Sequence, residues 1–400
     1  MRTFIAGLVE GAKVRQNWFP TWIGAFVKRL TAKRKAAFLR RQRRQLRRLQ
    51  GRGKTLIKQG KVANVRQEFV SNRLRLGKTK FDFVKYPGFA SFTPPKTFSL
   101  TDNFEESLAF ILDFRRFFSE GKRRVCPDGS KRLHYADFAQ IERIDAGAGL
   151  VLAAEVHRYA QDRGGVPGVH DHLWHENVRD FFVDAGLFDL LKIDPKSIST
   201  KPSTDGQRQT LKFTSGRARQ GSDAKALIQE LQTLAGRKLG PRPTVYNAIA
   251  EAFANVAHAY PIGFRTWPYR TSRQWWASGF WSPSSDTVGL QLYDQGAGIP
   301  ATLPKQTQWP KVLKLLDREG SPSGLIAAAL EYGRTSTGQA GRGKGLAEMA
   351  DWIETTGTGF LRIISGGGEI TYRPGGHISR RNFNASFCGT LVEWEVRVVA

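Results

Sequence analysis

The chain has 400 residues, length for two or three domains and a sizeable core, and its 40% hydrophobic and 11% aromatic content excludes a disordered polymer. Two distant cysteines, Cys126 and Cys388, exclude a disulfide framework or a Cys-type metal site, so a reducing, cytoplasmic setting is expected. The net charge of +27 points to anionic partners, and no apolar run approaches the roughly 18 residues of a membrane-spanning helix.

The charge is concentrated near the start. Phe4 to Val9, closed by Glu10, is too short for a secretory signal, although an Arg-rich, acid-poor start leaves an organelle transit peptide as the alternative. Residues 11–67 hold 18 of the chain's 62 Lys and Arg and no acid, leaving 44 basic against all 35 acidic residues elsewhere. Within this segment, Leu30 to Leu49 predicts a cationic helix with a narrow apolar stripe at Ala36, Leu39, Leu46 and Leu49, ended by Gly51 and Gly53. Trp18, Phe19, Trp22 and Phe26 stand ready to dock it. Gly51 to Thr55 imitates the end of a P-loop, but Arg48 replaces the required glycine and no strand precedes it. Acid-free Lys and Arg with interleaved aromatics favour nucleic acid through its phosphates, over an acidic membrane or mere solubilisation.

Residues 93–200 predict a small α/β domain, after a basic, largely helical segment over 1–92. Ser107 to Phe114 suits a buried strand or the start of a helix, Ala139 to Asp145 a strand end, and Ala148 to Tyr159 a helix. Asn177 to Leu191 reads as one amphipathic helix with Phe181, Phe182, Leu187, Phe188 and Leu191 on its apolar face. His170, His172 and His175 cluster without Cys partners, which favours a structural or surface role over a metal site. A polar stretch near 197–209 opens a linker and leading helix over 201–243, including a helix from Asp223 to Ala235. Trp275 to Trp281 and Val288 to Tyr293 predict paired strands, followed by strands at Phe360 to Ile364, Gly368 to Arg373 and Gly389 to Val399.

Three fragments in residues 244–400 carry chemistry. Glu251, Asn255 and His258 fall on one face of a helix, where a carboxylate can take a proton from water and an amide oxygen suits Mg²⁺. Asp294, followed by Gly296 and Gly298, closes an apolar strand and can receive an adenine amino group. Gly341, Arg342, Gly343, Lys344, Gly345 and Leu346 form a glycine-rich loop entering a helix, suited to phosphate. Each alone also reads as an ordinary helix face or turn. In this order they describe one ATP site.

Together they resemble the GHKL superfamily, the Bergerat ATP-binding fold of gyrase B subunits, ninety-kilodalton chaperones, mismatch-repair ATPases and histidine kinases. The three fragments match its N box and two glycine boxes, and Gly389-Thr390 matches the Gly-Thr that meets the adenine-binding Asp. The resemblance implies an α+β two-layer sandwich with ATP and Mg²⁺ as cofactors. It casts Glu251 as general base, Asn255 as metal ligand, Asp294 as adenine reader and Gly341–Leu346 as phosphate loop. It also implies a mobile lid over 320–340, with Arg334, Ser336 and Thr337 nearest the phosphates.

Glu251 stands where histidine kinases usually carry Asn, and no phosphoacceptor-His dimerisation helix is evident. With Tyr260, the first fragment also resembles anti-sigma serine kinases, whose partners are STAS domains. Residues 93–200 are weakly similar to such a domain, but Asp145 to Gly149 offers no hydroxyl to phosphorylate. The expectation is therefore an ATPase acting with nucleic acid, with a protein serine kinase or a nucleotide-gated nucleic-acid-binding module as alternatives. A protein partner or a second copy of the chain completes the implied partners.

Overall fold

The computed structural model describes residues 80–82, 89–119, 132–136, 138–163, 171–195, 208–217, 222–260, 273–305, 309–315, 320–335, 345–387 and 389–398. The chain divides into two compact units, residues 1–68 and 69–400, and every described residue belongs to the second. The expected cationic helix at 30–49, its aromatic cluster and the rest of residues 1–79 lie outside the described residues.

Strands β1 (Lys80–Asp82), β2 (Phe89–Thr93) and β3 (Thr97–Phe98) lead into helix α1 (Phe104–Ser119). Strand β4 (Arg132–Ala136) lies parallel to β2, and β5 (Arg143–Ile144) parallel to β3, giving two small sheets. Helix α2 (Ala146–Arg163) starts where Asp145 caps it: Oδ1 accepts from the Ala148 N–H at 2.6 Å. The other oxygen of Asp145 accepts from Ser99 Oγ at 2.6 Å and the Leu100 N–H at 2.7 Å, tying the two small strands to the helix.

The helix expected over 177–191 is two helices, α3 (Glu176–Asp184) and α4 (Leu187–Leu191). Gly186 breaks it at φ 69°, a left-handed backbone that glycine adopts without a Cβ clash. The predicted apolar face survives the break, because Phe182, Leu187, Phe188 and Leu191 are all buried.

The linker expected over 201–243 contains a strand, β6 (Gln209–Arg217), ahead of α5 (Ser222–Ala235) and α6 (Arg242–His258). Then come β7 (Gln274–Ser282) and β8 (Thr287–Asp294), the short helices α7 (Ile299–Thr302) and α8 (Trp309–Val312), α9 (Pro322–Thr335) and α10 (Gly345–Thr356). The chain ends with β9 (Phe360–Ser365), β10 (Gly368–Arg373), β11 (His377–Asn382) and β12 (Thr390–Arg397). Strands β6 to β12 form one antiparallel seven-stranded sheet in the order β11-β10-β9-β12-β8-β7-β6.

Side chains alternate across this sheet, and both faces are covered. Val288, Leu290 and Leu292 of β8, with Val392, Trp394 and Val396 of β12, pack against α5, α6, α9 and α10. On the other face Trp276, Tyr293, Ile364 and Leu391 share a core with Phe110, Phe114, Leu152 and Phe182 of α1 to α3. The architecture is mixed α/β: an antiparallel seven-stranded sheet with helices on both faces, beside small sheets with parallel pairs. Helices α1 to α4 have too little sheet of their own to cover their apolar faces, so they complete their core on the large sheet. No helix among the described residues is long and apolar enough to cross a membrane.

Candidate functional site

Helix α6 turns Val245, Ile249, Ala252 and Val256 into the core. Its opposite flank brings Glu251, Asn255 and His258 to the edge of a cavity of about 300 Å³. Glu251 is half-buried. Burial first, and then the neighbouring Glu348 carboxylate, push its carboxyl above the ordinary range, as suits a proton acceptor. A Cβ added to Gly345 would fall 2.4 Å from Glu251 Oε2, so the start of α10 fits directly against this carboxylate. The Asn255 Nδ2 atom is buried and finds no partner among the described residues.

Strand pairing sets the floor. Asp294, the last residue of β8, pairs with Trp275 of β7 and Thr390 of β12, and Thr390 pairs in turn with Ser365 of β9. Asp294 is buried and accepts from the Gly296 N–H at 2.6 Å. Burial pushes its carboxyl up to about 7, against the pull of the Gly296 and Thr390 backbone N–H groups. Gly296 is required by close approach, since an added Cβ would meet the Ala259 Cβ at 2.3 Å and its carbonyl at 2.7 Å. The turn is pinned further by Ala297 N–H donating to the Ala259 carbonyl at 2.8 Å and Gln295 N–H to the Tyr260 hydroxyl at 2.9 Å. Ser365 Oγ accepts from the Ile299 N–H at 2.8 Å and lies 2.9 Å from Thr390 Oγ1, locking β9 and β12 beneath the cavity.

The remaining wall is apolar: Leu292, Ile363 and Val392 from the sheet, Ile299, Leu303 and Val312 from the segment after β8, and Leu346 and Met349 from α10. Helix α9 adds Ala329 and Tyr332. This helix spans part of the expected lid over 320–340, and its Ile326, Ala327 and Leu330 are buried in the core against the sheet.

Of the residues expected at the site, Glu251, Asn255, His258, Asp294, Gly298, Gly345, Leu346 and Thr390 line this cavity, with Gly296 buried behind Asp294. Arg334 falls in the last turn of α9. Ser336, Thr337, Gly341, Arg342, Gly343 and Lys344 lie outside the described residues. The sequence reading missed Glu348, Ser365 and the apolar segment 299–312. Glu348 was findable, because it stands one turn into the helix opened by Gly345. His170 lies outside the described residues, and among those described no group of three His, Cys, Asp or Glu side chains can hold a metal.

No family model matches the chain, and a search of the curated proteins gives no match.

Proposed function

We propose that this chain is a Mg²⁺-dependent ATPase of the GHKL type, binding ATP in the cavity between α6, α10 and the sheet. The supporting observation is convergence: Glu251, Asn255 and His258, then Asp294 and Gly298, then Gly345 and Leu346, and finally Thr390, far apart in the chain, line one cavity.

In this reading the apolar wall takes the base, and Asp294 accepts its exocyclic amine. The Gly341–Leu346 loop and the N-terminus of α10 take the phosphates. Asn255 would hold Mg²⁺. Its amide nitrogen finds no acceptor among the described residues, and its amide oxygen is a hard donor suited to that cation. The metal, when bound, neutralises phosphate charge. Glu251 accepts a proton from the attacking water, and its raised affinity for protons makes it a better base than an exposed carboxylate. The segment over 93–200 offers no phosphate acceptor at Asp145, whose two oxygens are engaged as a helix cap and loop tie. Hydrolysis is therefore preferred to phosphorylation within the chain.

The Glu251→Ala protein is expected to bind ATP as tightly as wild type and to lose turnover by 100-fold or more, on the order of a missing general base. Asp294→Ala should lose binding. Equilibrium binding of a fluorescent ATP analogue, with phosphate release measured in parallel, checks both. Undiminished turnover by Glu251→Ala removes it as the base, and label transferred to an added protein instead of released phosphate identifies a kinase.

A further inference from the structure

Behind the floor of the cavity, on the opposite face of the sheet, lies a buried ionic cluster that the proposed chemistry does not use. Glu155 of α2 is fully buried. One oxygen accepts from Arg115 Nε at 2.6 Å and from Gln295 Nε2 at 2.8 Å, and the other from Arg158 Nη2 at 2.9 Å. Arg115 of α1, also buried, donates to the Phe387 carbonyl at 2.5 Å and to the Tyr293 hydroxyl. Burial alone would push the Glu155 carboxyl up, but the two guanidinium groups outweigh it and hold it below the ordinary range. The carboxylate is thus a fixed negative charge.

Its partners are the point. Tyr293 and Gln295 flank Asp294 in sequence, and the alternation of the strand sends their side chains to the far face. Phe387 stands two residues before Gly389, whose neighbour Thr390 pairs with Asp294. Two helices from the first half of the chain therefore hold both strand ends that frame Asp294. A buried charge that only stabilised the helices would need no link to the turn, and unpaired buried polar groups cost enough that such links are rarely incidental.

We infer that Glu155 is a positioning residue for the nucleotide site: anchored by Arg115 and Arg158, it fixes the Asp294–Gly296 turn through Gln295 from the opposite layer of the fold. Its consequence for nucleotide affinity rests on the ATP-binding reading above. Its consequence for the turn does not. The titratable groups that line the cavity with Asp294 are Glu251 and His258 of α6 and Tyr332 of α9.

The test is Gln295→Met in the full chain, which keeps the length of the side chain and removes its donor. In the nucleotide-free protein, carbon-13 NMR should find the Asp294 carboxyl titrating near 7 in wild type. In the variant it should titrate lower, because a loosened turn admits water and relieves burial, the largest influence on this carboxyl, by more than a weakened Gly296 N–H bond raises it. ATP should bind about tenfold more weakly, a loss of 1.4 kcal/mol. Glu155→Gln retains an oxygen for Gln295 and should keep the wild-type titration even where its unfolding midpoint drops. A second measurement needs no variant: the Gly296 and Ala297 amides should exchange with solvent at rates matching the centre of α2. An unchanged Asp294 titration in Gln295→Met, or turn amides exchanging orders of magnitude faster than α2, overturns the inference. A wild-type chain that binds no ATP sinks the nucleotide reading instead, and leaves the titration and exchange to judge the turn.

Discussion

Asp294 faces conflicting demands. In the proposed reading, recognition of an amine wants an ionised acceptor, while the floor of an apolar cavity penalises charge. The unfolded carboxyl releases its proton near 3.8 and the native one near 7, so the native state holds an extra proton between those values. The resulting stability is present at low pH and is lost as pH rises to about 7. Asp294→Asn has no such dependence. Its stability relative to wild type should therefore rise by about 2 to 3 kcal/mol between pH 5 and pH 8, at roughly 1.4 kcal/mol per unit. Urea unfolding at the two pH values checks this, and parallel curves would show that the carboxyl is not held up. Gly345 gives a second prediction. Its missing side chain is the space that the Glu251 carboxylate occupies, and the carboxylate is the free end of a flexible chain that can swing away. Gly345→Ala should thus leave stability within about 1 kcal/mol of wild type. Turnover should fall at least tenfold through misplacement of the base. A variant with normal turnover would show that Glu251 acts from another position.

Among the elements, those that carry the site were the most legible. The spacing of Glu251, Asn255 and His258 could describe one face only if the segment was helical, and α6 is. The apolar run from Val288 to Tyr293 had to be a buried strand, which fixed Asp294 at its end. What escaped was at the edges. Strand β11 presents His377, Arg380 and Arg381 on a largely exposed sheet edge, and β6 is half-polar and bulged between Leu211 and Thr214. An edge strand buries too little for alternation to show in its sequence. Helix α9 carries part of the segment that the family likeness implies as a lid, and its Ile326, Ala327 and Leu330 form a buried stripe. Leu330 is fully buried, so Leu330→Ala should cost about 2 to 4 kcal/mol. A loss under about 1 kcal/mol, measured by urea unfolding, would show that this stripe is not held against the core.

For the molecule as a whole, amphipathic helices announced that they had a buried face without saying what covers it. The helices between 104 and 191, expected within a small α/β domain, bury their apolar faces in a core shared with Trp276, Tyr293, Ile364 and Leu391 of the large sheet. In the proposed reading, nucleic-acid binding by residues 11–67 is expected as an activity separable from nucleotide binding. With 18 cations and no acid in that segment, phosphate contacts should dominate. If six to ten phosphates are neutralised, affinity for a single-stranded or duplex oligonucleotide should fall about 10³-fold or more between 50 and 200 mM salt. Replacing Arg40, Arg41, Arg43, Arg44, Arg47 and Arg48 by Gln in the full chain should flatten that slope and leave ATP affinity unchanged. Fluorescence anisotropy against a salt series measures the first, and the nucleotide-binding titration the second. Affinity indifferent to salt would rule out the segment as a phosphate binder. A parallel loss of ATP binding would show instead that the segment contributes to the site itself.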